Sequence, residues 1–374
     1  MPSWLKEGRG SLCGANVSLL LREMGITKPL LVAGERTKNV FFARTGMRLP
    51  VFDAFHPNPD LQDCVAGAAL YQEKGCDGLI SIGGGSAMDT AKGIKALLMT
   101  DIAHVRANQL PPEGKVPHLA IPGTAGTGAE TTAVAVLYED GQKLSVDHPA
   151  LLPDGVLLDG SLLDTLPEYH RKSCAMDALA QGIESWWAKK ATPGSRIHAE
   201  RAIRGVLDNL TAYLQGDRKA QDEMLHAAYE SGVAILTTRT TAAHAMSYQI
   251  TKKLGAAHGH ACMLTLPHLW AHLAAQAEYQ PMLTELAHIL GGEKPMDGAV
   301  LLRGLLAVLE LDKIPMPDDA TLDMLAASVN PERLGNHPEA LTTAQLRAIY
   351  VQAFTPMTDT ERAEAIAAWE QYGK

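Results

Sequence analysis

The chain has 374 residues, enough for two or three domains at ordinary domain sizes. Hydrophobic residues make up 46% and charged residues 20%, a balance that excludes an intrinsically disordered chain. Thirty-three basic against 42 acidic residues give a formal charge of −9, and no long basic run offsets it, which argues against a nucleic-acid partner.

No apolar run reaches the roughly 18 residues of a membrane-spanning helix. The opening Met1-Pro2-Ser3-Trp4-Leu5-Lys6-Glu7 lacks the basic-then-apolar plan of a signal peptide. Five cysteines, scattered and without CxxC spacing, speak against a disulfide framework or a cysteine zinc site, and predict a cytoplasmic protein.

Up to about residue 165, short β-rich runs alternate with helical stretches. Strands are predicted at 29–33, 50–54, 78–83, 118–122, 131–138 and 155–159, with helices at 16–24, 61–74 and 86–98. That alternation predicts a doubly wound, mostly parallel α/β sheet, whose ligands bind at the C-terminal strand ends. From Ser173 to about Gln352 the chain is rich in Ala, Leu, Met, Glu and His at helical spacing. An α/β domain over 1–166 and an all-α domain over 167–374 are predicted, with the site between them.

Three segments can carry chemistry. In Ser81-Ile82-Gly83-Gly84-Gly85-Ser86, a strand runs into glycines and then a helix, which suits a phosphate but equally suits a tight turn. The spacing is not GxGxxG. Ile121-Pro122-Gly123-Thr124-Ala125-Gly126-Thr127-Gly128 offers small residues and hydroxyls after another strand, as a cofactor loop or a plain one. Asp177 and Gln181 share a helical face, and His244 and His258 follow 14 residues apart. Two imidazoles and a carboxylate suit iron(II) or zinc; in a chain with 14 histidines they suit structural roles as well.

Taken together, these motifs resemble the iron-containing (group III) alcohol dehydrogenase family over almost the whole chain. GGGSAMDTAK looks like that family's GGGSxxDxAK loop, PGTAGTGAE like PTTAGTGSE, and LLDGSLLDTLP like the LDPxLxxxLP segment. AMDALAQGIE matches GMDALTHAIE, and His244 and His258 keep the family's ligand intervals of 67 and 14 residues. The resemblance implies an N-terminal nucleotide-binding domain, a helical metal- and substrate-binding domain, and a homodimer or larger homo-oligomer. By motif position, Asn58, Gly84, Gly85, Ser86, Asp89, Thr124, Thr127, Lys143 and Leu163 would contact the cofactor. Asp177, Gln181, His244 and His258 would hold the metal, iron(II) or alternatively zinc.

Several departures bear on function. Gln181 stands where the family has a histidine ligand, so it ligates through its weaker amide oxygen, a water fills in, or the site is metal-free. Tyr248 replaces a histidine found in many relatives. Gly34 replaces an aspartate that reads ribose hydroxyls, and with Arg36 nearby this favours NADPH over NADH. Only seven residues precede the Gly8-Arg9-Gly10-Ser11 turn, so the family's first strand is expected to be short or missing.

The run Thr238-Arg239-Thr240-Thr241-Ala242-Ala243-His244, with the Gln and HGHA, resembles a subgroup associated with reducing phosphonoacetaldehyde to 2-hydroxyethylphosphonate. Arg239, Thr240, Thr241 and Lys252 or Lys253 would then bind an anionic aldehyde, and Tyr248 or His260 would supply the proton. Phosphonopyruvate, a sulfonated aldehyde or a simple short-chain aldehyde are alternative substrates. A dehydroquinate-synthase-like cyclase and a metal-free nucleotide-binding paralogue are the alternatives outside oxidoreductases.

Overall fold

The computed structural model describes residues 6–112 and 116–372. Two compact units result, Met1–Thr165 and Leu166–Lys374.

The first unit contains β1 (Lys6–Arg9), α1 (Gly14–Glu23), β2 (Pro29–Ala33), α2 (Glu35–Thr45), β3 (Val51–Phe52), α3 (Leu61–Lys74), β4 (Gly78–Gly83), α4 (Gly85–Met99) and α5 (Ile102–Arg106). It continues with β5 (His118–Pro122), β6 (Val134–Glu139), β7 (Gln142–Asp147) and β8 (Gly155–Leu158). Six strands form an all-parallel sheet in the order β1-β8-β5-β4-β2-β3. β2, β4, β5 and β8 are fully buried along their length, as strands covered on both faces must be. From β2 the chain steps outward to β3 and then returns to β4 on the other side, so the connection order reverses between β2 and β4. In open parallel sheets that reversal is where ligands bind.

The first strand is short, as one of the two expected outcomes had it: four residues paired with β8. One expectation needs correction here. The run 131–138 is not one strand: a 3₁₀ turn occupies Ala129–Thr131, and β6 pairs with the unforeseen β7 as an antiparallel hairpin. Asp140 (φ 50°) and Gly141 (φ 72°) make its turn, the Asp-Gly pairing that left-handed hairpin turns favour.

The second unit is helical among its described residues. Its helices are α6 (Glu168–Trp187), α7 (Pro193–Leu214), α8 (Arg218–Thr238), α9 (Ala242–Gln249), α10 (His258–Ala274), α11 (Gln280–Leu290), α12 (Asp297–Val308), α13 (Asp319–Ala327), α14 (Pro331–Leu334), α15 (Thr343–Phe354) and α16 (Asp359–Tyr372). A π-helical turn, Ile250–Leu254, links α9 to α10. From Ala175 to Trp187 every residue of α6 is buried, so α6 is the central helix, packed by α7, α8 and α10. Gly259 permits the closest of these approaches: a Cβ there would lie 2.0 Å from Ser173 O and 2.6 Å from Asp177 N.

Candidate active site

In the first unit the glycine-rich loop leaves β4 and becomes the N-terminus of α4, with Gly84 as its cap residue. Gly83 takes φ +146°, and its carbonyl accepts from Gly123 N at 2.7 Å. A Cβ on Gly123 would meet Gly83 Cα at 3.2 Å, so the ends of β4 and β5 close up only because both residues are glycine. Thr124 faces Gly84 and Thr127 faces Gly85, each within van der Waals reach of a Cβ built there. Asn58 (φ 57°) donates its N–H to Ser86 Oγ at 3.2 Å. Asn58, Gly84, Gly85, Ser86, Thr124 and Thr127 therefore gather at the C-terminal strand ends beside the reversal point.

Gly34 follows β2 directly and opens α2, with open space where a side chain would go. Arg36, on the first turn of α2, donates from Nη1 to Thr165 O (3.1 Å) and also bonds the Thr165 hydroxyl. Burial raises the Asp89 carboxyl to about 6, against the pull of Lys92 and Lys143. Lys92 is committed to structure, donating to Ala129 O (2.7 Å), Val134 O (2.9 Å) and Thr132 Oγ1 (3.2 Å). Leu163 is fully buried and ends a 3₁₀ turn.

The second unit gathers the metal-type donors. Asp177 (α6), His244 (α9), and His258 and Cys262 (both α10) bring their donor atoms within 4.8 Å of one another. His244 Nδ1 bonds Glu184 Oε2, so its N–H sits on that side and the Nε2 lone pair faces Asp177 Oδ1 at 3.2 Å. Two acceptors at that distance are reconciled by a shared proton or a cation. Ser247 Oγ donates to His244 O (2.8 Å) and therefore accepts from His258 Nδ1 (3.3 Å). This presents His258 Nε2 to the cluster, 3.9 Å from Asp177 Oδ1, where it carries a proton or, once that proton is displaced, a ligating lone pair. Glu184 is itself pinned by Thr241 Oγ1 (2.5 Å) and Ala243 N (2.7 Å). These residues fit a divalent metal in donor chemistry, in spacing and in the groups that orient the donors.

Charge within the cluster is mutually stabilised. Burial opposes ionisation of Asp177, yet the imidazoles of His258 and His244 hold its carboxyl below the usual range. Burial likewise opposes a charged His258, but Cys262 and Asp177 outweigh it and the imidazole is pushed up to about 9. Asp177 and His244 are almost fully enclosed, whereas the His258 side chain keeps 38% of its surface accessible.

The remaining expected residues divide. Tyr248 stacks parallel to His258, with ring centroids 6.1 Å apart. Gln181 lies four residues from Asp177, one end of its amide 3.5 Å from Asp177 Oδ1 and the other 2.7 Å from Ser231 Oγ, which also lies 2.8 Å from Ala228 O. Arg239 adopts φ 63° as α8 ends, and its Nη1 donates to Leu236 O at 3.0 Å. Thr240 is buried, and its carbonyl accepts from Asn336 Nδ2 at 3.0 Å. Lys252 is exposed on the π-helical turn, and Lys253 follows it.

Two expectations are corrected by their bonding. His260 is not placed to give up a proton: Nε2–H donates to Leu311 O (2.8 Å), and Nδ1 faces Tyr169 Oη (3.0 Å). The hydroxyl of Thr241 is fully buried, donates to Glu184 and accepts from Trp187 Nε1 (3.0 Å), so it positions His244 rather than a substrate. Glu184, Ser247 and Cys262 were not foreseen. Helical spacing could have found two of them, since Glu184 lies seven residues after Asp177 and Cys262 four after His258, on the same faces.

A parallel sheet with glycine loops at its reversal point, and a helical unit with buried divalent-metal donors, suit an enzyme that uses a phosphate-bearing cofactor and a metal ion. The iron-containing alcohol dehydrogenase model matches residues 3–160, and the C-terminal model of the Fe-containing alcohol dehydrogenase family matches residues 172–354. The chain belongs to the iron-containing alcohol dehydrogenase family and is an enzyme of that type. It is 30% identical to the NAD-dependent methanol dehydrogenase of Bacillus methanolicus over 299 residues, 75% of this chain and 77% of that protein. It is 36% identical to the phosphonoacetaldehyde reductase of Streptomyces viridochromogenes over 230 residues, 57% of this chain and 58% of the relative. The crystal structure of sulfoacetaldehyde reductase from Bifidobacterium kashiwanohense, in complex with NAD+, superposes with a TM-score of 0.85. It is 26% identical, and the match covers 95% of this chain and 97% of that one. No helix among the described residues is long and apolar enough to cross a membrane.

Proposed function

We propose that the enzyme reduces a small anionic aldehyde with NADPH, the best candidate being phosphonoacetaldehyde reduced to 2-hydroxyethylphosphonate. The observation that carries the oxidoreductase reading is the pair of imidazoles held at Nδ1 by Glu184 and Ser247, with both Nε2 atoms toward Asp177. When bound, the metal supplies Lewis-acid polarisation of the carbonyl and the dinucleotide supplies hydride. Asp177, His244 and His258 would hold the ion, while Glu184 and Ser247 keep the imidazoles in the ligating tautomer. Tyr248, one helical turn after His244 and stacked on His258, would return the proton to the product oxygen.

Asn58, Gly84, Gly85, Ser86, Thr124 and Thr127 would hold the dinucleotide phosphates, with Asp89, Lys143 and Leu163 completing its contacts. The open space at Gly34 and the nearby Arg36 favour a 2′-phosphate, hence NADPH. Arg239 would fork onto the phosphonate, with Thr240 and Lys252 nearby; the phosphonoacetaldehyde and sulfoacetaldehyde reductases named above support an anionic tail. All five cysteines are free, which supports work in a reducing cytoplasm. A homo-oligomer is the expected assembly, with β1 at the sheet edge as one surface for it.

The test is NADPH and NADH oxidation with phosphonoacetaldehyde, sulfoacetaldehyde, phosphonopyruvate and propanal, each with iron(II), zinc or a chelator. Metal-dependent preference for phosphonoacetaldehyde over propanal is expected; parity between them removes the anionic-substrate reading. Arg239→Ala should raise KM for the anionic aldehyde about 10–100-fold, the worth of a charge-assisted contact, and leave propanal nearly unchanged.

A further inference from the structure

We propose that the sulfur of Cys262, rather than the amide of Gln181, is the fourth protein donor of the metal site. The assignment rests on the metal-dependent reading above and specifies its ligands as Asp177, His244, His258 and Cys262.

Geometry carries it. Cys262 follows His258 by four residues, so both side chains leave the same face of α10. Its sulfur lies 3.9 Å from His258 Nε2, and all four donor atoms fall within 4.8 Å of one another. Around a tetrahedral ion with ordinary bond lengths, neighbouring donor atoms sit about 3.3–3.6 Å apart. Three of the six separations, 3.2, 3.9 and 3.9 Å, lie within tenths of an ångström of that range, and none of the six exceeds 4.8 Å.

Gln181 meets Ser231 Oγ at one end of its amide (2.7 Å) and Asp177 Oδ1 at the other (3.5 Å). Ser231 Oγ also lies 2.8 Å from Ala228 O, and its single proton serves one of the two acceptors. When it goes to Gln181, the amide N–H faces the donors and repels a cation. When it goes to Ala228, Ser231 accepts from the NH₂ and the amide oxygen becomes the fourth donor; that is the competing ligand set. A set with two imidazoles, one carboxylate and a thiolate is softer than one with an amide oxygen, and it selects zinc over iron(II).

The experiment is to load the purified full-length protein with cobalt(II) and record its electronic absorption, with no turnover involved. A thiolate ligand gives an intense near-ultraviolet sulfur-to-cobalt charge-transfer band that nitrogen and oxygen donors do not. The band is expected in the unaltered protein and should vanish in Cys262→Ser. Zinc affinity of that variant should fall by more than the roughly 10–100-fold typical of outer-shell changes. Gln181→Ala should keep the band and lose less than about tenfold in affinity. Near-ultraviolet circular dichroism checks that both variants are folded, and the unaltered protein gives the decisive spectrum without any substitution. Cobalt bound without a sulfur band, together with metal loss in Gln181→Ala, overturns the proposal and leaves the reductase reading standing. No uptake of cobalt, zinc or iron overturns both.

Discussion

The two units build their candidate sites from opposite materials. In the α/β unit the working surface is mostly backbone: Gly83 and Gly123 let two strand ends close, Gly84 and Gly85 leave room for Thr124 and Thr127, and α4 begins there. In the helical unit it is entirely side chain, with donors from α6, α9 and α10 oriented by Glu184 and Ser247. A backbone site tolerates the loss of any one hydroxyl. A side-chain site depends on every orienting bond and on the packing that brings its helices together.

That contrast can be broken most severely at Gly259. A methyl group there would collide with the backbone of α6 at Ser173 and Asp177, so Gly259→Ala should push α10 away from α6. Overpacking of this kind costs about 1–3 kcal/mol or more, and each kcal/mol lowers the melting temperature of a unit this size by roughly 2–4 °C. Thermal denaturation together with metal content should show both losses; a variant that melts normally and retains its metal would show that the helices need no such contact.

Glu184→Gln is the next most telling change. It removes the carboxylate that fixes the His244 tautomer, and metal affinity should fall about 10–100-fold with little change in fold. Competition with a coloured chelator measures it, and an unchanged affinity would detach Glu184 from the site. The smallest effect should come from Ser86→Ala in the other unit. Its hydroxyl accepts one N–H, from Asn58, so dinucleotide affinity should weaken by roughly 2–12-fold, the worth of one ordinary hydrogen bond. Titration by nicotinamide fluorescence reads this directly, and a loss as large as that of Glu184→Gln in its own site would erase the contrast between the units.

The same contrast explains what could be read from the sequence. Glycines at strand ends are local signals, so β2, β4 and β5 and the loops after them were legible in chain order. The β6–β7 hairpin is marked in the sequence only by Asp140-Gly141 at its turn, because β7 is mostly polar and half exposed and lacks the apolar run that signals a strand. Among the donors, Asp177, His244 and His258 stood out as residue types at family intervals. Their orienting partners did not, since which imidazole nitrogen carries the proton depends on contacts between distant helices. Residues 258 and 260 project from opposite faces of α10, which is why the paired HGH histidines part company: His258 joins the cluster and His260 ties Tyr169 to Leu311. Helical spacing from His258 points to Cys262 instead.

The spread of the donors along the chain has a mechanical consequence. Residues 177 and 244 are 67 apart, and 244 and 258 are 14 apart, so an ion seated among them closes two loops at once, as a pair of disulfides would. Such an ion is a staple across three helices, and it resists their parting as well as holding a substrate. Its removal by a chelator should therefore speed hydrogen exchange in α6, α9 and α10, a change readable without following any chemistry.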